Sequence, residues 1–554
     1  MRKLRPIFIL LLLSTSINVN AQTAFTTMDS VDINNLHVNV LMHGDMWNDP
    51  ITGLARCYST NDSVEVSGGG GFWMSGYDAS AQLHVSAETY RAAGVDFWPG
   101  PLDGALTYAT SQNWSKIWKV NRTDIQYFQH LSTHTVANTP QAILTWPAKG
   151  NIYAQGSGGA SLSVTNDMAP FVDLNGNGIY EPLSGEYPDV KGDQALWWVW
   201  SDNGPTHSAT HGNPLGIEIH ALAYGYSRGT LIDNVIYYEY TLLNRSENTY
   251  SNFRFAQWNI AVIGYPLDNF ISYDSTWRMG ITYKGTNDDG SIGGHPLGTL
   301  GPPPMSAVTT IVLPGDAGSS YVQPGSFTYF NNDLSGTGNP TIDTEYNNYM
   351  RAKNRAGMHL KNDFAGPGIP CPGYGSGPDC NYVFPGDTKN TAEWSECSCN
   401  NNPGERRSVL SSNDFTLNAG STQKVVLAFI ATNKGAGGCP EANLDSIKIV
   451  ADTAWSIYHN PLPPLSAINI ATQLNNTINI FPNPAGEKLF IENKGTTAGE
   501  VHITIYNVLG QIMNVSVNTN GKKSEADISR LPVGLYYVLY RQNDAQQAAK
   551  FVKQ

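Results

Sequence analysis

The stretch DLNGNGIYEP at residues 173–182 sets oxygen-bearing side chains at every second position and then turns on a glycine. In a calcium loop, positions one, three and five supply side-chain oxygens, and position seven supplies a backbone carbonyl. The residues that fit this order, together with a carboxylate at position nine, are Asp173, Asn175, Asn177, Ile179 and Glu181. We therefore predict a weak, structural Ca²⁺ site here. The alternative is an array of Asx turns, in which the same side chains bond their own backbone without a metal.

The flanks of this loop argue against a calcium sensor. Its twelfth position is Ser184, which lacks the bidentate carboxylate of an EF-hand. No helical periodicity precedes or follows the loop. We expect the loop to rigidify the chain ahead of the WWVW segment at residues 197–200.

Three histidines and one glutamate within GPTHSATHGNPLGIEIHALA form a second candidate site. Imidazole and carboxylate ligands from His207, His211, Glu218 and His220 could bind zinc and leave one position open. The first two histidines lie in Ser/Thr/Gly/Pro-rich sequence, which does not aim both rings at one point, and an H-E-x-x-H helix is absent. We predict polar histidines here and no metal catalysis.

Aromatic residues carry a third possible chemistry. Trp73, Phe97, Trp98, Trp114 and Trp118 could stack on sugar rings, and a pair of carboxylates could then hydrolyse a glycosidic bond. The competing interpretation places these rings in the core of a β-sandwich. The run Gly68–Gly71 lacks the Lys-Ser/Thr of a phosphate loop and is more typical of close packing before an aromatic strand.

Six cysteines are present, and four of them fall within a Gly/Pro-rich stretch: Cys371, Cys380, Cys397 and Cys399. In an exported protein this clustering favours disulfides that staple a long loop. Zinc is the alternative, although the spacings do not match paired C-x2-C knuckles. The simplest pairing joins Cys371 to Cys380, and the sequence does not determine the connectivity.

The composition favours β structure, with 54 Gly, 32 Pro and 28 Tyr but only 14% charged residues. NVIYYEYTLLNR, NFRFAQWNIAVI and QKVVLAFIATN are predicted strands, whereas segments 284–345 and 361–408 are predicted long loops. Apolar residues at helical spacing between Leu444 and Tyr458 predict one helix. The predicted fold class is mainly β: a large β-sandwich-like N-terminal region with long loops, followed by a small Ig-like antiparallel β-sandwich.

The ends of the chain predict its domains. A basic start, a short apolar run and Val19-Asn20-Ala21 predict a cleaved signal peptide at residues 1–21. A β-rich region follows at 22–460, either as one unit or as two subdomains. A Pro-rich linker at 461–473 then leads to a set of short alternating strands at 474–554. The net charge of −13 without a basic cluster argues against nucleic acid as a partner. We expect no transmembrane segment.

The last 80 or so residues contain, in order, NIFPNPAGEKLFI, ITIYNVLGQ, DISRLPVGLYYVLY and KFVKQ. They resemble the type A C-terminal sorting domain of the Bacteroidetes type IX secretion system. The residues that match its motifs are Pro482, Asn483, Pro484, Gly510, Leu531, Pro532, Gly534 and Tyr536. The resemblance implies that residues 474–554 bind the type IX secretion machinery. It also implies that the cargo is either released or attached to surface lipopolysaccharide.

Residues 24–460 include DINNLHVNVLMHGDMWND and GIEIHALAYGY and resemble large secreted Bacteroidetes proteins that carry this sorting domain. That resemblance implies location and architecture, and no biochemical activity. We expect an exported protein of the cell surface or the extracellular space, acting as a non-catalytic adhesin or structural component. The alternative is a secreted polysaccharide-binding protein or glycoside hydrolase, with glycans as partners.

Overall fold

A computed structural model describes residues 25–59, 64–88, 96–102, 107–202, 207–260, 262–285, 305–314, 324–432, 439, 442–462, 478–493, 501–507, 512–513, 515–520, 522–542 and 545–554. The predicted signal peptide at 1–21, most of the predicted linker at 461–473, and Gly510 lie outside the described residues. Within the described ranges, no helix has the length and apolar character needed to cross a bilayer.

The described strands of the first half of the chain are β1 (Met28–Val31), β2 (Leu36–Leu41), β3 (Asp45–Met46), β4 (Cys57–Ser59), β5 (Gly69–Tyr77), β6 (Leu83–Ala87), β7 (Trp98–Pro99), β8 (Trp118–Asn121), β9 (Phe171–Val172), β10 (Tyr187–Pro188), β11 (Gln194–Ser201), β12 (Ile217–Gly225), β13 (Val235–Asn244) and β14 (Tyr250–Ile260). They continue as β15 (Asn269–Asp274), β16 (Met279–Lys284), β17 (Met305–Val312), β18 (Ser326–Asn331), β19 (Arg406–Ser411), β20 (Phe415–Leu417) and β21 (Thr422–Thr432). The C-terminal strands are β22 (Ile478–Phe481), β23 (Lys488–Asn493), β24 (Val501–Asn507), β25 (Ile512–Met513), β26 (Ser516–Asn520), β27 (Lys523–Asp527), β28 (Gly534–Gln542) and β29 (Ala545–Lys553). The helices are α1 (Tyr108–Trp114), α2 (Arg122–Gln129), α3 (Gln141–Leu144), α4 (Asp343–Tyr349) and α5 (Asp445–His459), with 3-10 turns at Ser157–Gly159, Pro182–Ser184 and Leu231–Asn234.

Two large antiparallel sheets form the N-terminal region. One runs β1-β2-β3-β5-β14-β19-β18, with β4, β6 and β20 paired at its sides, and the other runs β15-β16-β17-β21-β13-β12-β11-β7, with β8 beside β11. Aromatic rings from both sheets meet between them: Phe72 of β5 lies 5.8 Å from Trp200 of β11 and 5.1 Å from Tyr240 of β13. The predicted large β-sandwich-like region is confirmed.

The sequence of strand β11 is continuously apolar because both faces of the strand are buried. Successive strand residues point to opposite faces, so Trp198 and Trp200 enter the core between the sheets, whereas Trp197 enters a second core on the outer face. Helix α5 covers this outer core with Ile447 and Ala451. The strand is therefore buried on both faces, and the predicted helix over residues 444–458 is confirmed.

The third layer lies on the outer face of the other large sheet. Trp73 and Trp258 stack there at 6.4 Å, and Tyr346 of α4 meets Trp73 edge-on at 4.8 Å. Strands β17 and β18 and the first turn of helix α4 lie in segment 284–345, which the sequence predicted as a loop, and that prediction is wrong. The Gly/Pro-rich residues around these short elements dominate the composition of the segment and conceal them. Within the second predicted loop, 361–408, residues 361–405 carry no helix or strand, whereas β19 begins at Arg406, so the predicted loop ends three residues too late.

The C-terminal residues form a separate small sandwich of two four-stranded antiparallel sheets, β22-β23-β27-β26 and β25-β24-β28-β29. Leu489 and Ile491 of one sheet pack with Val538 and Tyr540 of the other in a common core. The predicted small antiparallel sandwich is confirmed. Strand β27 was missed because its inward side chains, Ser524 and Ala526, are small and give no apolar signal.

Candidate functional site

The Pro482-Asn483-Pro484 motif lies against the last strand of the small sandwich. The side chain of Asn483 donates from Nδ2 to the carbonyl of Lys550 at 3.1 Å and accepts the amide of Val552 at 2.9 Å. The amide of Ala485 then donates to the carbonyl of Val552 at 2.7 Å. Asn483 thus hydrogen-bonds backbone groups of β29, which holds the prolines on either side of Asn483 against this strand.

The second motif, Leu531-Pro532-x-Gly534-x-Tyr536, forms the corner that leads into β28. Leu531 is buried, and the Tyr536 hydroxyl donates to the carbonyl of Pro532 at 2.8 Å. The Tyr536 ring stacks on Phe551 of β29 at 5.5 Å. The corner therefore contacts β29, the same strand to which Asn483 is hydrogen-bonded. Two motifs that lie some 50 residues apart in the sequence thus meet at this strand.

Exposed aliphatic side chains adjoin these motifs. Val533 is 77% exposed, Leu535 is 37% exposed and Val552 is 40% exposed. Leu535 and Val552 lie directly opposite each other in the β28–β29 register. With the exposed prolines they form what we name the apolar end surface, which consists of Pro482, Pro484, Pro532, Val533, Leu535 and Val552. Sequence reasoning missed the three aliphatic residues because an apolar strand residue gives no sign of which face is solvated.

The loop at residues 173–182 satisfies its own polar groups. The Asp173 carboxylate accepts the amides of Gly176 at 2.7 Å and Gly178 at 2.8 Å, and Asn177 Oδ1 accepts the amide of Ile179 at 2.7 Å. The amide of Gly178, then that of Gly176, lower the pKa of Asp173. This is the hydrogen-bond pattern of an Asx-turn array, and the calcium prediction for this loop stays a prediction.

Two glutamates and a tyrosine hold this loop in place. Glu181 Oε2 accepts from Asn175 Nδ2 at 2.8 Å and from Asn177 Nδ2 at 2.9 Å. The buried Glu186 accepts the amides of Leu174 at 3.1 Å and Glu181 at 2.7 Å. The adjacent Tyr180 is buried in the outer core of the sheet that contains β11.

The histidines of the second candidate site do not converge. Both ring nitrogens of His207 face backbone carbonyls, with Nδ1 3.0 Å from Val85 O and Nε2 2.7 Å from Asp202 O. His211 is exposed. Only Glu218 and His220 meet, at 2.7 Å, and Arg245 pairs with the same carboxylate at 2.9 Å. The described residues contain no group of three or more His, Cys, Asp or Glu side chains arranged to hold a metal.

The five aromatic residues that could have stacked on sugars are all buried. Trp73 belongs to the core beneath α4, Phe97 to the core between the large sheets, and Trp118 to the outer core. These rings therefore pack the protein interior, and they do not form an exposed platform.

The disulfides join Cys371 to Cys399 and Cys397 to Cys439, while Cys380 and Cys57 are free. The predicted Cys371–Cys380 pair is wrong, because Cys380 lies elsewhere on the loop, where its amide bonds Leu360. Cys371 and Cys399 pack in the core between the sheets, whereas Cys397 packs at the outer core. The loop is thus stapled on both sides of the sheet.

A polar cavity of about 210 Å³ lies beside the start of α5. Its walls come from the β15–β16 turn, the loop at 385–393 and the first turn of α5. Asp274, Asp387 and Glu393 line it, and Lys448 pairs with Asp274 at 3.1 Å. Several carboxylates therefore line one polar cavity.

Residues 479–554 match the protein family described as the secretion system C-terminal sorting domain. The sorting-domain resemblance is thereby confirmed, and the chain is a secreted or cell-surface protein addressed to the type IX secretion machinery. Comparison with curated proteins found no match. One solved structure that resembles the chain is described as a polysaccharide lyase; it is 8% identical with a TM-score of 0.17, and the match covers 71% of this chain and 40% of that one. The chain thus spans less than half the length of that structure, and so weak a likeness carries no argument.

Proposed function

We propose that the chain is a non-catalytic adhesive or structural protein of the cell surface, delivered across the outer membrane by its C-terminal sandwich. Delivery by the C-terminal sandwich is supported by one observation: separate sequence motifs converge on one exposed surface. Asn483 and the Leu531–Tyr536 corner both attach to β29, and the apolar end surface lies beside them. An exposed aliphatic patch of this kind suits binding to another protein.

For the large sandwich, the proposal rests on the contacts of those side chains that could bind a sugar or take part in catalysis. The rings that could have bound sugars are core residues. His207 is occupied by backbone carbonyls, and Glu218 by Arg245 and His220. Together with two disulfides around a long loop, this arrangement favours a rigid scaffold over an active site.

The alternative, a polysaccharide-binding protein or glycoside hydrolase, is supported by the cavity beside α5. Asp274, Asp387 and Glu393 line the same polar space, and paired carboxylates are what glycoside hydrolysis requires. Binding of the purified protein to a glycan array, lost in Asp387→Asn with Glu393→Gln, would favour this alternative. Binding only to matrix proteins would favour the adhesin.

Deleting residues 474–554 tests the delivery proposal. We expect the truncated protein to accumulate in the periplasm, protected from protease added to intact cells, while the full chain is digested or found in the medium. Surface exposure of the truncated protein at the normal level would contradict the proposal.

A finer test addresses the apolar end surface. We expect Val533→Asp combined with Leu535→Asp to reduce surface delivery strongly, because charge disfavours an apolar contact. The matched control is Leu334→Asp, which alters an equally exposed aliphatic residue of the large sandwich, 74% exposed. Equal delivery of the two variants would remove this surface from the account.

A further inference from the structure

Two segments end against the same edge of β5, and each brings a carboxylate there. The amide of Phe72 donates to the carbonyl of Gly44 at 2.9 Å, and the carbonyl of Phe72 accepts the amide of Glu88 at 3.2 Å. Asp45 follows Gly44 and lies opposite Gly71 in the β3–β5 register. Gly44 and Glu88 therefore lie side by side opposite Phe72, and Asp45, one residue along, lies close enough to Glu88 for its charge to act there.

Both carboxylates are buried without a compensating cation. Asp45 and Glu88 are each 1% exposed, and among the described residues no lysine or arginine pairs with either. Within the described residues, Asp45 accepts the amide of Met46 at 3.0 Å and Asn48 Nδ2 at 3.1 Å. Glu88 Oε1 accepts the amide of Asp96 at 3.3 Å, while Oε2 has no hydrogen-bond partner within the described part of the chain.

Asn48 adds a third oxygen to this cluster. Its side chain is fully buried, and because Nδ2 donates to Asp45 the amide group lies against that carboxylate. Its Oδ1 has no partner among the described residues. Leaving a buried oxygen unpaired is unfavourable. Asn48 Oδ1 and Glu88 Oε2 are thus two buried oxygens that a bound cation would satisfy.

A neighbouring aspartate positions Glu88 and increases the negative charge. Asp96 is itself saturated by the amides of Ala87 at 3.1 Å and Ala209 at 2.9 Å and by the hydroxyl of Thr210 at 2.6 Å. Burial first, then the charges of Asp96 and Asp45, raise the pKa of the Glu88 carboxyl. His207 Nδ1 lies 3.8 Å from Asp96 and faces away from the unpaired oxygens toward Val85 O.

The glycine run at residues 68–71 permits this arrangement. A Cβ on Gly71 would lie 2.5 Å from the carbonyl oxygen of Glu88, and a Cβ on Gly70 would lie 2.7 Å from the Trp47 ring. Side chains at these positions would push both segments off the edge of β5. The run is thus required to bring the three oxygen-bearing residues together.

We propose that Asp45, Glu88 and Asn48 form a buried site for a hard divalent cation, Ca²⁺ in an extracellular protein. All donors are oxygens, which Ca²⁺ prefers over nitrogen or sulfur. A divalent cation satisfies the unpaired oxygens and neutralises both carboxylates, whereas a water molecule leaves the charges uncompensated. The site is independent of the loop at Asp173 and of the sorting domain.

The test is thermal unfolding of the purified protein after chelation, with and without added CaCl2. We expect Ca²⁺ to raise Tm by several degrees in the unaltered protein, since a ligand that binds only the folded state stabilises it. Glu88→Gln keeps the size of the side chain and removes its charge, so the shift should be lost. Asp173→Ala is the matched control: it removes only the contribution of the weak exposed loop and should retain the larger part of the shift. Loss in Asp173→Ala with retention in Glu88→Gln would assign calcium to the exposed loop and overturn the proposal.

A second readout reports bound metal directly. Trp73 donates from Nε1 to the carbonyl of Glu88 at 2.8 Å, so it is placed to sensitise Tb³⁺ bound at this site. We expect tryptophan-excited Tb³⁺ luminescence that Ca²⁺ displaces, that Glu88→Gln abolishes and that Asn48→Asp strengthens. No calcium response in the unaltered protein, together with a higher Tm in Glu88→Gln, would show that a proton neutralises the pair instead and would overturn the proposal.

Discussion

The large and the small sandwich bury different kinds of side chain. The large sandwich encloses charged groups such as Glu396, Arg406 and Glu218, held in long-range networks. In the described part of the small sandwich, the buried polar or charged residues are Asn493, Ser524 and Lys553, and the rest of the core is aliphatic or aromatic. The small sandwich exposes prolines and aliphatic residues beside its two motifs. The large sandwich thus buries charged side chains in hydrogen-bonded networks, whereas the small sandwich carries the exposed apolar surface for which we propose a recognition role.

The connectivity differs in the same way. In the large sandwich β5 pairs with β14, and β13 pairs with β21, across very long stretches of sequence. In the small sandwich β22 pairs with β23, β26 with β27, and β28 with β29, each with its neighbour in the chain. Local pairing closes short loops and costs less entropy. The described pairs of the sorting domain, including the longer-range β23–β27 and β24–β28, all join residues within 478–553, which suits a module that folds independently of its cargo.

The largest expected effect comes from breaking a buried ion pair of the large sandwich. Arg406 Nε donates to the buried Glu396 at 2.9 Å, and its guanidinium lies 5.9 Å from the Phe270 ring. Arg406→Met should lower the free energy of unfolding by about 3–5 kcal/mol, because it leaves a buried carboxylate uncompensated. Urea unfolding measures this change.

The control for this variant lies in the small sandwich. Lys488 pairs with Glu525 at 2.7 Å on the exposed surface. Lys488→Met should leave stability nearly unchanged, because solvent screens the pair. If both substitutions cost the same, the contrast between the two regions is wrong.

A second prediction concerns acid sensitivity of the large sandwich. Burial raises the pKa of Glu218, but hydrogen bonds from His220 and Arg245 outweigh it and lower that pKa from 4.5 to about 2. The ionised carboxylate therefore stabilises the fold above pH 4.5, and this stabilisation is lost as the pH falls toward 2. Glu218→Gln should cost about 3 kcal/mol at neutral pH and nothing near pH 2. A loss that is constant with pH, in unfolding measured across this range, would rule out the ionic cause.

A smaller effect is expected at the edge of the small sandwich. Asn483→Ala removes two hydrogen bonds to β29 and should cost about 1 kcal/mol of stability. Asn479→Ala, at an exposed position of β22, is the control. Hydrogen exchange of the Val552 amide should accelerate in Asn483→Ala alone. Unchanged exchange would show that Asn483 does not hold this edge.

The sequence predicted those parts of the fold that rest on local pattern. The strands β13, β14 and β21 and helix α5 follow from apolar periodicity, and the sorting domain follows from ordered motifs. Strands β17 and β18 escaped because their Gly/Pro-rich surroundings dominate the local composition.

The candidate sites were less predictable because they depend on distant partners. The Cys371–Cys399 bond requires knowing how a loop folds back. Asp45 and Glu88 reach the same edge of β5 only through strand pairing, which short-range spacing does not encode. The Asp173 loop is the opposite: its bonds are local, and its geometry follows from the alternating side chains.

The central claim is that residues 474–554 hold the delivery address by themselves. Fusing these residues to the C-terminus of a soluble periplasmic reporter, in a host with a working type IX system, tests it most directly. We expect that protease added to intact cells digests the reporter, or that the reporter appears in the medium, and that a fusion carrying Val533→Asp and Leu535→Asp stays in the periplasm. A reporter that stays in the periplasm with the unaltered domain would contradict the account.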